Sequence, residues 1–154
     1  MNKFETNLKD IKLKDLIFVI LYGGVISILL GVMIGLIDYY ITQLISFSLS
    51  MILFFFSAQF IGGLVRKQYK FPHIVYTVIT GLFLVIQAII VYGLPLIYYI
   101  AKETGDMSLI FSVSMYFQFV LYFFRTLVLS FNFNYILIIL VISVGTYLGI
   151  KRTY

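Results

Sequence analysis

Long uncharged apolar runs alternate with short polar gaps along this chain, and the gaps alternate in charge. Lys3, Lys9, Lys12 and Lys14 precede the first run, Arg66, Lys67 and Lys70 close the second, and Lys151 and Arg152 follow the last. Asp38, Lys102, Glu103 and Asp106 fall in the intervening gaps. Membrane proteins concentrate Lys and Arg in cytoplasmic loops, so the basic gaps are expected to share the cytoplasmic side. The chain is 62% hydrophobic and 11% charged over 154 residues. A soluble domain of this size leaves too much surface exposed to hide so much apolar area, so the solvent is lipid. The net charge of +5 then reads as topology charge facing anionic headgroups, not as a nucleic-acid footprint. With 13 Tyr and no Trp, the interfacial aromatic belt is expected to be built from Tyr. There is no Cys, hence no disulfide, thiolate ligand or cysteine nucleophile.

Lengths set the spans. Leu16 to Ile37 covers roughly 33 Å as a helix, enough for a hydrocarbon core of about 30 Å and longer than the about 7–15 apolar residues of a signal peptide. It is read as a retained first helix ending at Asp38, with a second span over about 43–65. From Ile74 to Ala101 a continuous helix would reach roughly 42 Å, too long for an upright span. Gly93 and Pro95 are therefore expected to kink or end it, leaving a third span at about 74–94. Lys102 to Asp106 forms a polar loop.

The last third admits two topologies. Leu109–Phe131 and Tyr135–Ile150 are each long enough to cross, separated by Asn132-Phe133-Asn134. Four spans put nine Lys and Arg inside and leave Lys102 and Arg125 outside; five spans move Lys151 and Arg152 outside and weaken the bias to seven against four. Ser114, Gln118, Tyr122 and Arg125 recur at three- and four-residue steps, giving 108–131 a polar stripe suited to the interface. The expectation is an all-α, single-domain integral membrane bundle over 1–154. It has four transmembrane helices (about 16–37, 43–65, 74–94 and 134–150) plus an outer-leaflet amphipathic or re-entrant helix at about 108–131, and both termini are cytoplasmic.

Lipid does not drive helices together by the hydrophobic effect; close packing at small residues does. Gly24, Ser27, Gly31 and Gly35 make one such face on the first helix, with a GxxxG step at Gly31–Gly35. Ser46, Ser50 and Ser57, with Ala58 and Gly62, make one on the second. The two helices are expected to pack along these faces, with a second copy of the chain as the alternative partner.

Among polar residues, Asp38 reads as an interfacial cap and His73, after Pro72, as a wet interfacial imidazole. One His and no Cys cannot assemble a conventional zinc site. By helical rise Gln59 lies roughly 10 Å, and Gln87 roughly 20 Å, from the inner surface. Each is expected to make an interhelical hydrogen bond, or else to line a polar path. Arg125, among aromatics, is expected to snorkel to phosphates or to grip an anionic ligand. No phosphate loop, catalytic triad or paired carboxylates are visible, so neither an enzyme nor a cofactor is expected.

The stretch Ser57–Lys67, the helix opening after Pro72 and the close Gly145–Arg152 resemble a family of small, uncharacterised bacterial inner-membrane proteins. That resemblance implies four spans and an irregular outer segment before the last helix, with no known activity. Arg66-Lys67-Gln68-Tyr69-Lys70-Phe71 is similar to the aromatic-basic end of helix two in GtrA-like proteins, which are linked to moving lipid-linked sugars. This chain lacks the matching basic-aromatic repeat after its last helix. An abundance of Ile, Phe, Tyr, Lys and Asn fits AT-rich bacterial DNA. The functional expectation is a non-enzymatic accessory or interaction subunit of a bacterial envelope system, multi-pass in the inner membrane, partnered by the lipid bilayer and by other membrane proteins or a homo-oligomer. The alternatives are a small transporter or flippase for a lipid-linked or amphiphilic substrate, and a toxin-immunity or holin-like protein.

Overall fold

The computed structural model describes residues 12–130 and 133–154. Lys3, Lys9 and Asn132 of the sequence reading lie outside these. The described residues are all-helical. Helix α1 runs Leu13–Ile45, α2 Ser50–Arg66, α3 Ile74–Thr104, α4 Val113–Ser130 and α5 Phe133–Lys151, with a 3-10 turn at Met107–Phe111 before α4. Three of them, α1, α3 and α5, are long and apolar enough to cross a membrane; α2 and α4 are shorter apolar helices.

Helix α3 is the centre. Its inward residues Tyr76, Thr80, Leu84, Gln87, Val91 and Leu94 follow the three- and four-residue helical repeat and are buried. Helix α1 packs against one side of it. There Gly24 faces the Phe83 ring, Gly31 faces Ile90, and Gly35 faces Leu94. The α1 backbone widens to a π-turn at Leu21–Val25, where two bare glycines, Gly23 and Gly24, admit the Phe83 ring. Helix α2 packs chiefly on α5. A Cβ on Gly62 would overlap the Gly149 carbonyl oxygen, and one on Gly149 would sit 2.7 Å from the Ala58 carbonyl oxygen. The small-residue faces thus exist where expected but choose other partners: α1 meets α3 and α2 meets α5. Both of those partners present what a bare backbone can accept, a ring and branched side chains on α3 and a second glycine on α5.

Two boundaries differ from the sequence reading. The first helix does not end at Asp38. It continues to Ile45, because Asp38 turns inward at 6% exposure, and stops where Ser46 adopts a left-handed conformation (φ 53°). Residues 43–45, expected within the second span, belong to α1; Ser46, expected on the second helix, ends the first, and α2 begins at Ser50. Nor do Gly93 and Pro95 end α3, which continues to Thr104 and closes at Gly105 (φ 73°). Pro95 removes one backbone bond, but the helix around it is held by packing: Leu94 is buried on Gly35, Ile97 is buried, and Gly93 accommodates Phe119.

The α2–α3 connection and the carboxyl-terminal end of α5 lie together. Thr153 Oγ1 and Thr77 Oγ1 are 3.1 Å apart, the Tyr69 hydroxyl donates to the Thr153 carbonyl, and Arg66 Nε donates to the Tyr154 carbonyl at 3.0 Å. Arg66 also lies over the Tyr69 ring, 5.2 Å from its centroid. Burial pushes the Tyr69 hydroxyl above its ordinary value, against the opposing pull of the Thr153 bond and the Arg66 charge. It therefore stays a protonated donor at neutral pH. Lys12 and Asp15, where α1 begins, line a cavity with Lys70 and His73. Arg66, Lys67, Lys70, Lys151 and the start of α1 thus share one basic end. At the far end, Tyr39 and Tyr40 of α1 meet Tyr98 of α3, with the hydroxyls of Tyr40 and Tyr98 at 2.9 Å.

The α2–α5 approach gives a direct test. Gly62→Ala forces a methyl into the α5 backbone and is expected to cost at least the about 1–3 kcal/mol typical of overpacking. Gly63→Ala, whose Cβ meets nothing within 4 Å, is expected to leave stability unchanged or slightly raised. Unfolding of both variants in the same detergent checks this; equal stabilities would exclude the close approach.

Candidate functional site

Polar groups inside an apolar bundle must find partners within the protein, and they organise two of the three regions described here.

The first is at the far end. Asp38, on α1, caps not its own helix but the next one. Its Oδ1 accepts the N–H groups of Leu49 and Ser50 at 2.8 and 2.9 Å, and the Ser48 hydroxyl donates to both carboxylate oxygens at 2.9 and 3.1 Å. A carboxylate here meets the positive end of α2 and satisfies N–H groups that the helix leaves free. The expected cap is therefore an interhelical clamp. Beside it lies an open cavity of about 430 Å3, lined by Asp38, Thr42, Gln43 and Pro95 among others. The loop after α3 carries its own cap. Asp106 accepts the Ser108 hydroxyl and N–H at 2.6 and 3.0 Å, which lowers its pKa below the usual carboxylate value.

The second region is the interior. Gln87 is wholly buried, and its Nε2 donates to Ser57 Oγ on α2 at 2.8 Å, while Ser57 in turn donates to the Phe54 carbonyl. Gln87 Oε1, Ser27 Oγ, Tyr92 hydroxyl and Thr146 Oγ1 are buried without a hydrogen-bond partner among the described residues. Gln59 sits one residue beyond the buried Ala58 and is half-buried. The two glutamines have different surroundings.

The third region is a groove of about 320 Å3 between α3, α4 and α5. Its walls are apolar: Ala88 and Tyr92 from α3, Phe119 and Phe123 from α4, and Ile138 and Ile142 from α5. Ser143, itself exposed, also lines it. Helix α4 forms one wall because Phe119 seats on Gly93 and the Phe123 ring packs edge-on to Tyr135, 4.9 Å between centroids. Arg125 follows two residues later and is exposed. The volume is within the about 300–1,000 Å3 of small-molecule sites.

Asp38, Gln87, Gln59 and Arg125 thus occupy four separate settings. Sequence reading missed Ser48, Ser50 and Ser57 as partners and missed the groove. His73, expected to be wet, is 6% exposed. Among the described residues, no group of three or more His, Cys, Asp and Glu side chains comes together. No family model, curated protein or solved structure matches the chain.

Two substitutions separate clamp from filler. Asp38→Ala strands buried N–H groups and is expected to destabilise the fold by about 1–3 kcal/mol. Gln87→Leu deletes one interhelical bond together with one unpartnered oxygen, so it is expected to cost under about 1 kcal/mol. Detergent unfolding midpoints check both, and a larger loss at Gln87 would reverse the assignment.

Proposed function

We propose that this chain is a non-enzymatic accessory component of a bacterial envelope system, multi-pass in the inner membrane, that holds the acyl chain of a membrane amphiphile between α3, α4 and α5. The carrying observation is the groove: three helices converge on an apolar volume of about 320 Å3. A groove of this volume with apolar walls suits the acyl chain of a membrane amphiphile.

The reading includes four spans with both termini cytoplasmic and α4 in the outer leaflet. Its support is the basic end, where the start of α1, the α2–α3 connection and the close of α5 collect Lys and Arg. Helix α2, at 17 residues, sits at the short limit of spanning helices, about 17–25 residues. Helix α4 lies along the far part of α3, with Met115 and Gln118 near Leu96 and Ile100. The separate settings of Gln87, Gln59 and Arg125 favour a holder over a transport path. The interaction-subunit side of the proposal rests on α5, where Leu140, Val144 and Tyr147 are exposed and a partner helix would find an apolar seat.

Native mass spectrometry of protein extracted in mild detergent tests the groove. Wild-type protein is expected to retain a lipid-sized adduct, and Ser143→Trp, which fills the groove from its exposed edge, to retain several-fold less. Equal retention by both would overturn the reading. Topology is tested separately, since the chain has no Cys. Cysteines placed singly at Tyr154 and Gly105 are expected to react with an impermeant thiol reagent from opposite sides of the membrane. Labelling of both from one side would exclude four spans.

A further inference from the structure

At the basic end, a cavity of about 50 Å3 is lined by Lys12 and Asp15 where α1 begins, by Lys70 and His73 of the α2–α3 connection, and by Tyr76 in the first turn of α3. His73 sets its chemistry. The imidazole is only 6% exposed, and its Nδ1 accepts the Val75 N–H at 3.2 Å. A ring nitrogen that accepts carries a lone pair, so the neutral ring holds its proton on Nε2. That tautomer is assigned from the hydrogen-bond pattern. Nε2 is on the opposite edge of the ring, is buried, and finds no hydrogen-bond partner among the described residues. A buried N–H without an acceptor bears its full desolvation cost. The ring is not free to turn and relieve it, because the Val75 bond holds one edge and Tyr76 packs on it edge-to-face at 5.9 Å. Tyr76 is itself stacked on Tyr69 at 4.7 Å.

Three features say which acceptor suits this donor. Lys12 and Lys70 bring two mobile cations to the rim. His73 is the N-cap of α3, so the positive end of a 31-residue helix adjoins the cavity. Asp15 is the carboxylate in the lining, and it lies in the first turn of α1, where that helix's own positive end attracts its charge. With a neutral imidazole, two lysines outweigh one aspartate. The volume is a few times the about 10–15 Å3 that one water needs, so it admits a phosphate-sized group but not a whole lipid. Phe71, 77% exposed, stands beside the cavity as an apolar anchor at the same end of the bundle.

We propose that this cavity binds one phosphate oxyanion, the phosphodiester of an anionic membrane lipid. His73 Nε2–H donates to its oxygen, and Lys12 and Lys70 flank it. The rest of the lipid stays outside, with its chain against Phe71. This site is built from different residues than the α3–α4–α5 groove and stands whether or not that groove holds an acyl chain.

The chain contains one His, so selective 15N labelling of histidine gives one imidazole to observe. Full-length protein in detergent at pH 8 is titrated with short-chain phosphatidylglycerol, with the matching diacylglycerol, and with inorganic phosphate. The Nε2 signal is expected to move with phosphatidylglycerol and to stay fixed with diacylglycerol. Lys70→Gln and Lys12→Gln, both exposed and safe for folding, are each expected to weaken the apparent affinity by about fivefold. A shift produced by inorganic phosphate at the same concentration as the lipid would overturn the lipid as source and identify free phosphate. An Nε2 signal unmoved by any phosphate, or an affinity indifferent to both lysines, would overturn the site.

Discussion

Close backbone approach between helices is the constraint on which this structure depends. In lipid, an apolar side chain gains little by leaving tails for a neighbouring helix, so dispersion contacts at short range must supply the cohesion. Two seams deliver it. Gly62 and Gly149 bring the α2 and α5 backbones together, and Gly24, Gly31 and Gly35 let α3 side chains sink onto α1. Helix α3 then has α1 on one side and the α2–α5 pair on another, which is why its residues Leu84, Gln87, Val91 and Leu94 are fully buried. The remaining helix, α4, is attached mainly through Phe119 and Phe123, and the groove between α3, α4 and α5 follows from that lighter attachment.

Polar groups fasten what the glycines bring near. At the far end one carboxylate, Asp38, holds the first turn of a different helix. At the basic end Tyr69, Thr77 and Arg66 hold the last residues of the chain. The middle is joined by a single amide, Gln87, to Ser57. The bundle is thus clamped at both ends and packed between them, an arrangement that leaves few polar atoms with functional freedom. His73 Nε2 is one, at the basic rim, and Arg125 is the charge closest in sequence to the groove wall. Each is a group that can pair with an anion.

Much of the helix inventory was legible because it needs only local information. Hydrophobic length gives the helices, Pro72 marks the start of α3, and charge bias collects the basic gaps. Errors fell where a distant segment decided the outcome. Asp38 looked like a terminus because charges usually end apolar runs; it lies within a longer helix because Ser48, Leu49 and Ser50 fold back onto it. Pro95 looked like a stop because it breaks a bond, and the helix persists because Leu94 and Ile97 are packed on both sides of it. His73 looked wet because it follows a loop, yet Tyr76 and the first turn of α3 enclose it.

By itself, then, the sequence determined that the chain is helical, has helices apolar and long enough to cross a membrane, and carries its positive charge on alternating gaps, since composition and periodicity are properties of single segments. It also determined which faces are small. Only the tertiary structure decided which helix each small face meets, which carboxylate caps which helix, and where a groove and an unpartnered imidazole are left over. A glycine stripe records how near a neighbour can come, and a buried polar atom records that a partner is needed; neither records its identity. That information exists only between segments, in the geometry of their meeting.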